Sequence, residues 1–265
     1  MARQPDTPPP PPVVQRLRIR YAKRGRLRFT SHRDFARAFE RALRRAAVPM
    51  AYSAGFTPHP KVSYAGAAPT GVASEAEYLE IGLAERREPE HVRTALDDAL
   101  PPGLDIVEVV DGQPPSLAER IEASLWRVEL RGVTVEDTQR AVVALLAASE
   151  APVTKLTKDG HRIVDARAPL VLARVAPEVE GADCAILELV VRHETPAVRP
   201  DDVLTALRQV GALSTPVTPF VTRLAQGLLG DAPPAGTEPI TLLDPLRDVD
   251  GQQLPPAAVS EPLAR

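Results

Sequence analysis

Two stretches of this chain, residues 14–112 and 117–226, approximate the same succession of segments: strand, helix, two strands, helix, strand. In the first, residues 14–22 alternate as a strand does and 31–48 carry apolar residues at helical spacing. Strands near 77–83 and 104–110 flank a helix at 89–100, and the stretch between 51 and 64 is too irregular for one element. In the second, strands at 125–131, 153–156, 161–164, 170–175, 185–191 and 217–224 accompany helices at 135–148 and 201–210, with Asp159-Gly160 as a hairpin turn. That order is the split β-α-β arrangement. It predicts an α+β fold of two tandem ferredoxin-like (βαββαβ) domains joined near residues 111–116 (DGQPPS). Residues 1–13 and 227–265 are Pro-rich and polar and are expected to be disordered.

Several classes fall away early. The one cysteine, Cys184, builds no disulfide, zinc ribbon or iron–sulfur cluster within this chain. His91, His161 and His193 lack ligand spacing, so neither a metal nor a cofactor is expected. Glu136-Asp137 and Asp201-Asp202 sit at predicted helix starts, where acids complement the dipole, and Asp97-Asp98 reads as a solvated face. Trp126 and Cys184 read as core. The N-terminus has no apolar signal core and no apolar run is long enough to span a membrane, so a cytoplasmic location is expected.

Charge is distributed unevenly. The net charge is −3, yet residues 1–61 hold fourteen Lys or Arg against three acids, a local +11 that leaves −14 for the remainder. A basic patch on an otherwise acidic chain points to a directed polyanion site.

The residues within that segment suggest how such a site is built. In the first strand Arg16, Arg18 and Arg20 alternate with Leu17, Ile19 and Tyr21, so the arginines share a face, about 7 Å apart. Ser31 is a candidate N-cap. In the helix that follows, Phe35, Ala38, Phe39, Ala42, Leu43, Ala46 and Ala47 gather on one side; Arg33, Arg37, Arg41, Arg44 and Arg45 gather on the other. Between strand and helix runs a basic segment that begins with Lys23 and Arg24, in which Leu27 and Phe29 are expected to anchor the loop and leave Arg26 and Arg28 outward. His32 lies at the helix start, where free N–H groups favour an anion. The irregular stretch presents Tyr52, Phe56, His59, Lys61 and Tyr64, with His59 held between Pro58 and Pro60. Guanidinium forks and aromatic faces suit a stacked, phosphate-linked ligand.

At these residues the chain resembles the radical SAM-linked protein family, a domain of unknown function found fused to a radical SAM module or encoded separately. The resemblance rests on the Phe29–Asp34 turn, the Glu40–Arg45 segment, Tyr52–Lys61 with its Gly-Phe and Pro-His-Pro-Lys, and the Pro69–Glu75 turn. It is specific over residues 17–81 and looser to 224. It implies a cytoplasmic protein linked to radical SAM enzymes and RNA metabolism. This chain lacks a CxxxCxxC run, so any cluster belongs to a separate protein.

Three functions follow as expectations. The first is an RNA-binding accessory protein for a radical SAM or other RNA-modifying or RNA-processing enzyme, its arginines, His59 and Lys61 on phosphates and Tyr52, Phe56 or Tyr64 stacked on bases, all in one groove. The second is a metal-independent RNA-cleaving or RNA-modifying enzyme with His32 or His59 as general base, acting in the cleaving case on a ribose 2′-OH with Tyr21 or Lys61 as partner. The third is a protein–protein adaptor for a radical SAM subunit.

Overall fold

The structure, a computed structural model, describes residues 11–157, 160–177, 184–230 and 240–247. The chain divides into two compact units, one of residues 1–71 and 76–119, the other of residues 72–75 and 120–265. The fold is mixed α/β, with four α-helices among the described residues. None of them is long and apolar enough to cross a membrane.

The first unit runs β1 (Gln15–Lys23), a short 3-10 turn (Gly25–Phe29), α1 (His32–Arg45), β2 (Val62–Ala65), β3 (Ala73–Leu83, shared with the second unit through residues 73–75), α2 (Pro89–Ala99) and β4 (Leu104–Asp111). Its strands lie in the order β4-β1-β3-β2. β1 and β4 are antiparallel, with Leu17 opposite Asp111, and β2 is antiparallel to β3, with Val62 opposite Ile81. The alternation in β1 sends Leu17, Ile19 and Tyr21 into one core with Phe35, Phe39 and Leu43 of α1 and Val92 and Leu96 of α2. Tyr21 stacks on Phe35 with ring centroids 4.2 Å apart. Both helices therefore cover the same sheet face. α1 starts where expected: the Asp34 N–H donates to Ser31 Oγ at 3.2 Å.

The second unit runs β5 (Ala123–Arg131), α3 (Val135–Ala147), β6 (Pro152–Thr157), β7 (Gly160–Asp165), β8 (Leu170–Val175), β9 (Cys184–Arg192), α4 (Pro200–Gly211), β10 (Phe220–Leu229) and β11 (Leu242–Leu243). Four strands lie in the order β10-β5-β9-β8, while β6 and β7 form a separate antiparallel hairpin. Its turn residues 158 and 159 lie outside the described residues. Residues 73 and 74 pair in parallel with Thr222 and Arg223 of β10. α3 and α4 approach closely: a Cβ on Gly211 would lie 2.5 Å from Ala141 Cα, so only glycine fits there.

Two segments differ from expectation. Part of the irregular stretch after residue 51 is β2, whose short run pairs only through Ile81, Glu80, Leu79 and Tyr78 of β3. Part of the expected disordered tail is ordered: Leu228 pairs with Leu243, and Leu242 is buried in a cluster with Ala123 and Val190. Ile240, Leu242, Leu243 and Leu246 concentrate enough apolar surface to bury, which an average over the Pro-rich tail conceals. Residues 1–10, 231–239 and 248–265 of the expected arm and tail lie outside the described residues.

Candidate nucleic-acid interface

The basic residues of the first unit separate into two groups, and the single groove expected of them does not form. Arg16, Arg18 and Arg20 lie on the sheet face opposite α1, and carboxylates meet them there. Arg16 Nη1 is 3.0 Å from Glu80 Oε1 and Arg18 Nε 3.2 Å from Glu80 Oε2. Arg20 Nη2 is 3.3 Å from Glu108 Oε2. Arg18 is 2% exposed and also donates to the carbonyls of Gln113 and Pro115, so it ties down the segment after β4. Lys23 is buried, with Nζ 3.2 Å from the Pro69 carbonyl, and Arg24 pairs with Asp105 at 2.8 Å. The strand arginines have no acid between them along the chain, but their partners stand on β3 and β4, roughly 60 to 90 residues further on. Cross-strand neighbours decide what a strand side chain sees.

The helix arginines behave differently. Arg33, Arg37, Arg41, Arg44 and Arg45 are all exposed, and none forms an ion pair among the described residues. Arg33, Arg37, Arg41 and Arg45 follow one another at four-residue steps, about 6 Å apart along the axis. Like charges at that spacing weaken a helix by about 0.2–0.5 kcal/mol per pair. The stripe is thus unfavourable to α1 alone and complementary to a line of negative charge.

Next to the last turns of α1, residues 50–61 form a narrow excursion. The Ala51 N–H donates to the Gly82 carbonyl and the Lys61 N–H to the Ala51 carbonyl, both at 2.8 Å. Ser53 N–H reaches the His59 carbonyl at 2.9 Å, and His59 N–H reaches Ser53 Oγ at 3.0 Å. Gly55 takes φ +126°, which lets the tip turn. Phe56, at that tip, is 89% exposed, and Tyr52 is 39% exposed. Arg44, Tyr52, His59 and Glu40 line a cavity of about 160 Å³ whose floor is Leu43, Val48 and Met50. His59 and Lys61 are exposed, as the sequence suggests.

Tyr64 is not a free platform. Its ring packs edge-on against Phe35 and against His32, with centroids 6.1 and 4.8 Å apart. Burial, and then the nearby Glu40 carboxylate, pushes its hydroxyl pKa up to about 12. An exposed aromatic that the sequence reading missed takes a comparable place. Phe29, expected to anchor the loop, is 58% exposed, with the Arg28 guanidinium 4.4 Å above its ring. Leu27 alone packs against the core. The RLRF spacing has a three-residue turn as its signal, since Gly25–Phe29 is a 3-10 turn. Arg26 is exposed, as expected.

Tyr21, a suggested partner for His32 or His59, is buried against Phe35. Among the described residues no three His, Cys, Asp or Glu gather around a metal position.

Residues 16–200 match the model of a family described as "Uncharacterized protein conserved in bacteria (DUF2344)". The chain belongs to the DUF2344 family. No curated protein matches this DUF2344 chain. A chain from the structure titled "Crystal Structure of a Cbf5-Nop10-Gar1 Complex" is similar at 11% identity and TM-score 0.43, over 84% of this chain and 54% of that one. The DUF2344 chain thus spans about half the length of that solved chain.

The second unit of the DUF2344 chain carries a polar cluster that the sequence did not announce. Ser124 Oγ, fully buried, lies 2.7 Å from His193 Nε2 and 3.5 Å from Gln226 Oε1. His193 is exposed as a residue, but desolvation of its ring, followed by the Arg223 charge, lowers its pKa below the usual imidazole value. Arg223 sits 5.3 Å from the ring of Trp126, itself buried as expected. Desolvation raises the Cys184 pKa, which favours the unreactive thiol. Asp97 is not simply solvated: its Oδ1 accepts the Ile106 N–H at 2.7 Å and joins α2 to β4.

Proposed function

We propose that this DUF2344 protein is an RNA-binding accessory protein that works beside a radical SAM or other RNA-modifying or RNA-processing enzyme. Its contact surface is the arginine stripe of α1 with Phe56, His59 and Lys61 of the neighbouring loop. Arg26 and the Arg28–Phe29 pair extend it toward the start of α1. The observation that carries the reading is the contrast within one basic segment: β1 arginines meet carboxylates, whereas the five of α1 stand exposed without ion pairs among the described residues. A charged helix face needs no such uniform sign for solubility.

The architecture supports the same reading. We take each unit as a ferredoxin-like domain, because β4-β1-β3-β2 and β10-β5-β9-β8 place corresponding strands in the same order; the β6–β7 hairpin is an insertion in the second. The resemblance to radical SAM-linked proteins supports a radical SAM partner that brings its own cluster.

Binding of fluorescent single-stranded RNA tests the reading. Each phosphate neutralised on a single strand steepens the fall of log affinity with log salt by about 0.7. Four to five contacts predict a slope of about −3. Affinity that hardly changes with salt overturns the proposal. Co-purification of a radical SAM enzyme that survives ribonuclease, without any RNA affinity, would favour the adaptor function instead.

A further inference from the structure

The arginine stripe accounts for phosphates and leaves the adjoining cavity without a role. Its volume, about 160 Å³, is well below the roughly 300–1,000 Å³ of sites for drug-sized ligands, which suits a single planar ring system and not a whole nucleotide. Its chemistry is graded. Leu43 and Met50, both buried, make an apolar floor, Tyr52 offers an aromatic wall, and Arg44 and His59, both exposed, complete the lining. Glu40 contributes a carboxylate with no hydrogen bond or ion pair among the described residues, although Arg44 lies one turn away on the same helix. An ionised carboxylate is acceptor-only, with two oxygens side by side.

We propose that this cavity receives one unpaired base of the bound RNA and that Glu40 selects guanine; the inference rests on the RNA-binding function above. Guanine alone among the four bases presents two adjacent donors on its Watson–Crick edge, N1–H and the 2-amino group, which match the two carboxylate oxygens. Adenine and cytosine each offer one amino donor beside an acceptor, and uracil flanks its one N–H with two carbonyls. Each of these would leave an acceptor facing Glu40. Unpaired bases splayed from single strands are commonly read in this way, by an aromatic face and edge hydrogen bonds.

The test uses the full chain and short uridine-rich strands with one central guanosine, inosine or adenosine, at fixed salt. Inosine lacks only the 2-amino group. The guanosine strand should bind about tenfold more tightly than the inosine strand, because one carboxylate oxygen then loses its donor. E40Q should bind the guanosine and inosine strands equally. Guanosine monophosphate added to the wild-type protein should shift the Tyr52 ring signals in NMR spectra, and inosine monophosphate should do so more weakly, which needs no variant to fold. Equal, salt-sensitive binding of all strands overturns the pocket and leaves the RNA function standing. A guanosine preference that persists in E40Q removes the assignment to Glu40. Binding of no strand overturns the RNA function and the pocket with it.

Discussion

Arg18 lies 3.2 Å from Glu80 through its Nε, while its terminal nitrogen serves the carbonyls of residues 113 and 115. One buried guanidinium thus holds β1, β3 and the segment after β4 together. A residue whose type and position suggest a phosphate contact is a structural tie.

R18M should destabilise the protein by about 3–5 kcal/mol, because it leaves buried groups without their charged partner. Urea unfolding followed by circular dichroism measures the loss. Any RNA affinity of the folded fraction should remain unchanged. A stability change under about 1 kcal/mol would show that Arg18 does not hold that segment.

Tyr64 gives a pH signature. Its folded pKa, about 12, stands above the ordinary tyrosine value of 10.0. The unfolded chain therefore loses this proton first, and stability falls as pH rises from 10 towards 12. Absorbance titration should include a tyrosine ionising near 12 that Y64F removes, along with that component of the alkaline stability loss.

His193 works in the opposite direction. Its pKa is lowered from the ordinary imidazole value of 6.5, so the unfolded state takes up the proton first on acidification. Stability is then lost as pH falls below 6.5. The imidazole NMR titration should report a midpoint below that value, and H193Q should flatten this part of the stability profile.

The ordered part of the tail should matter to the second unit. A chain ending at residue 239 loses the buried Leu242 and Leu246 and the carbonyl of Arg247 that Arg120 contacts. Burial of two leucines contributes about 3 kcal/mol or more, so the shortened chain should unfold at distinctly lower urea. An unchanged midpoint would mean that β11 adds nothing.

These residues also mark what a sequence makes legible. Leu17, Ile19 and Tyr21 announce a strand face, and Phe35, Phe39, Ala42 and Leu43 announce a helix face, because periodicity is local. The exposure of the α1 arginines follows from the same helical geometry. The fate of Arg18 is not local: Glu80 and the 113–115 carbonyls reach it only after the sheet forms. Lys23, turned inward to the carbonyls of residues 68 and 69, escapes notice for the same reason. Phe29 misleads because an aromatic near a helix start usually packs, and here the 3-10 turn swings it out under Arg28. The Ser124–His193 contact joins residues 69 apart, one on β5 and one just past the end of β9, and no motif marks it.

The central claim is that the α1 stripe, not the β1 arginines, contacts RNA. The direct measurement is the salt dependence of single-stranded RNA affinity for the wild type and for R37S/R41S. Exposed substitutions of this kind change stability by less than about 0.5 kcal/mol, so the variant should fold normally. Loss of two phosphate contacts should weaken binding and reduce the slope by about 1.4. An unchanged affinity and slope in a folded R37S/R41S protein would contradict the account.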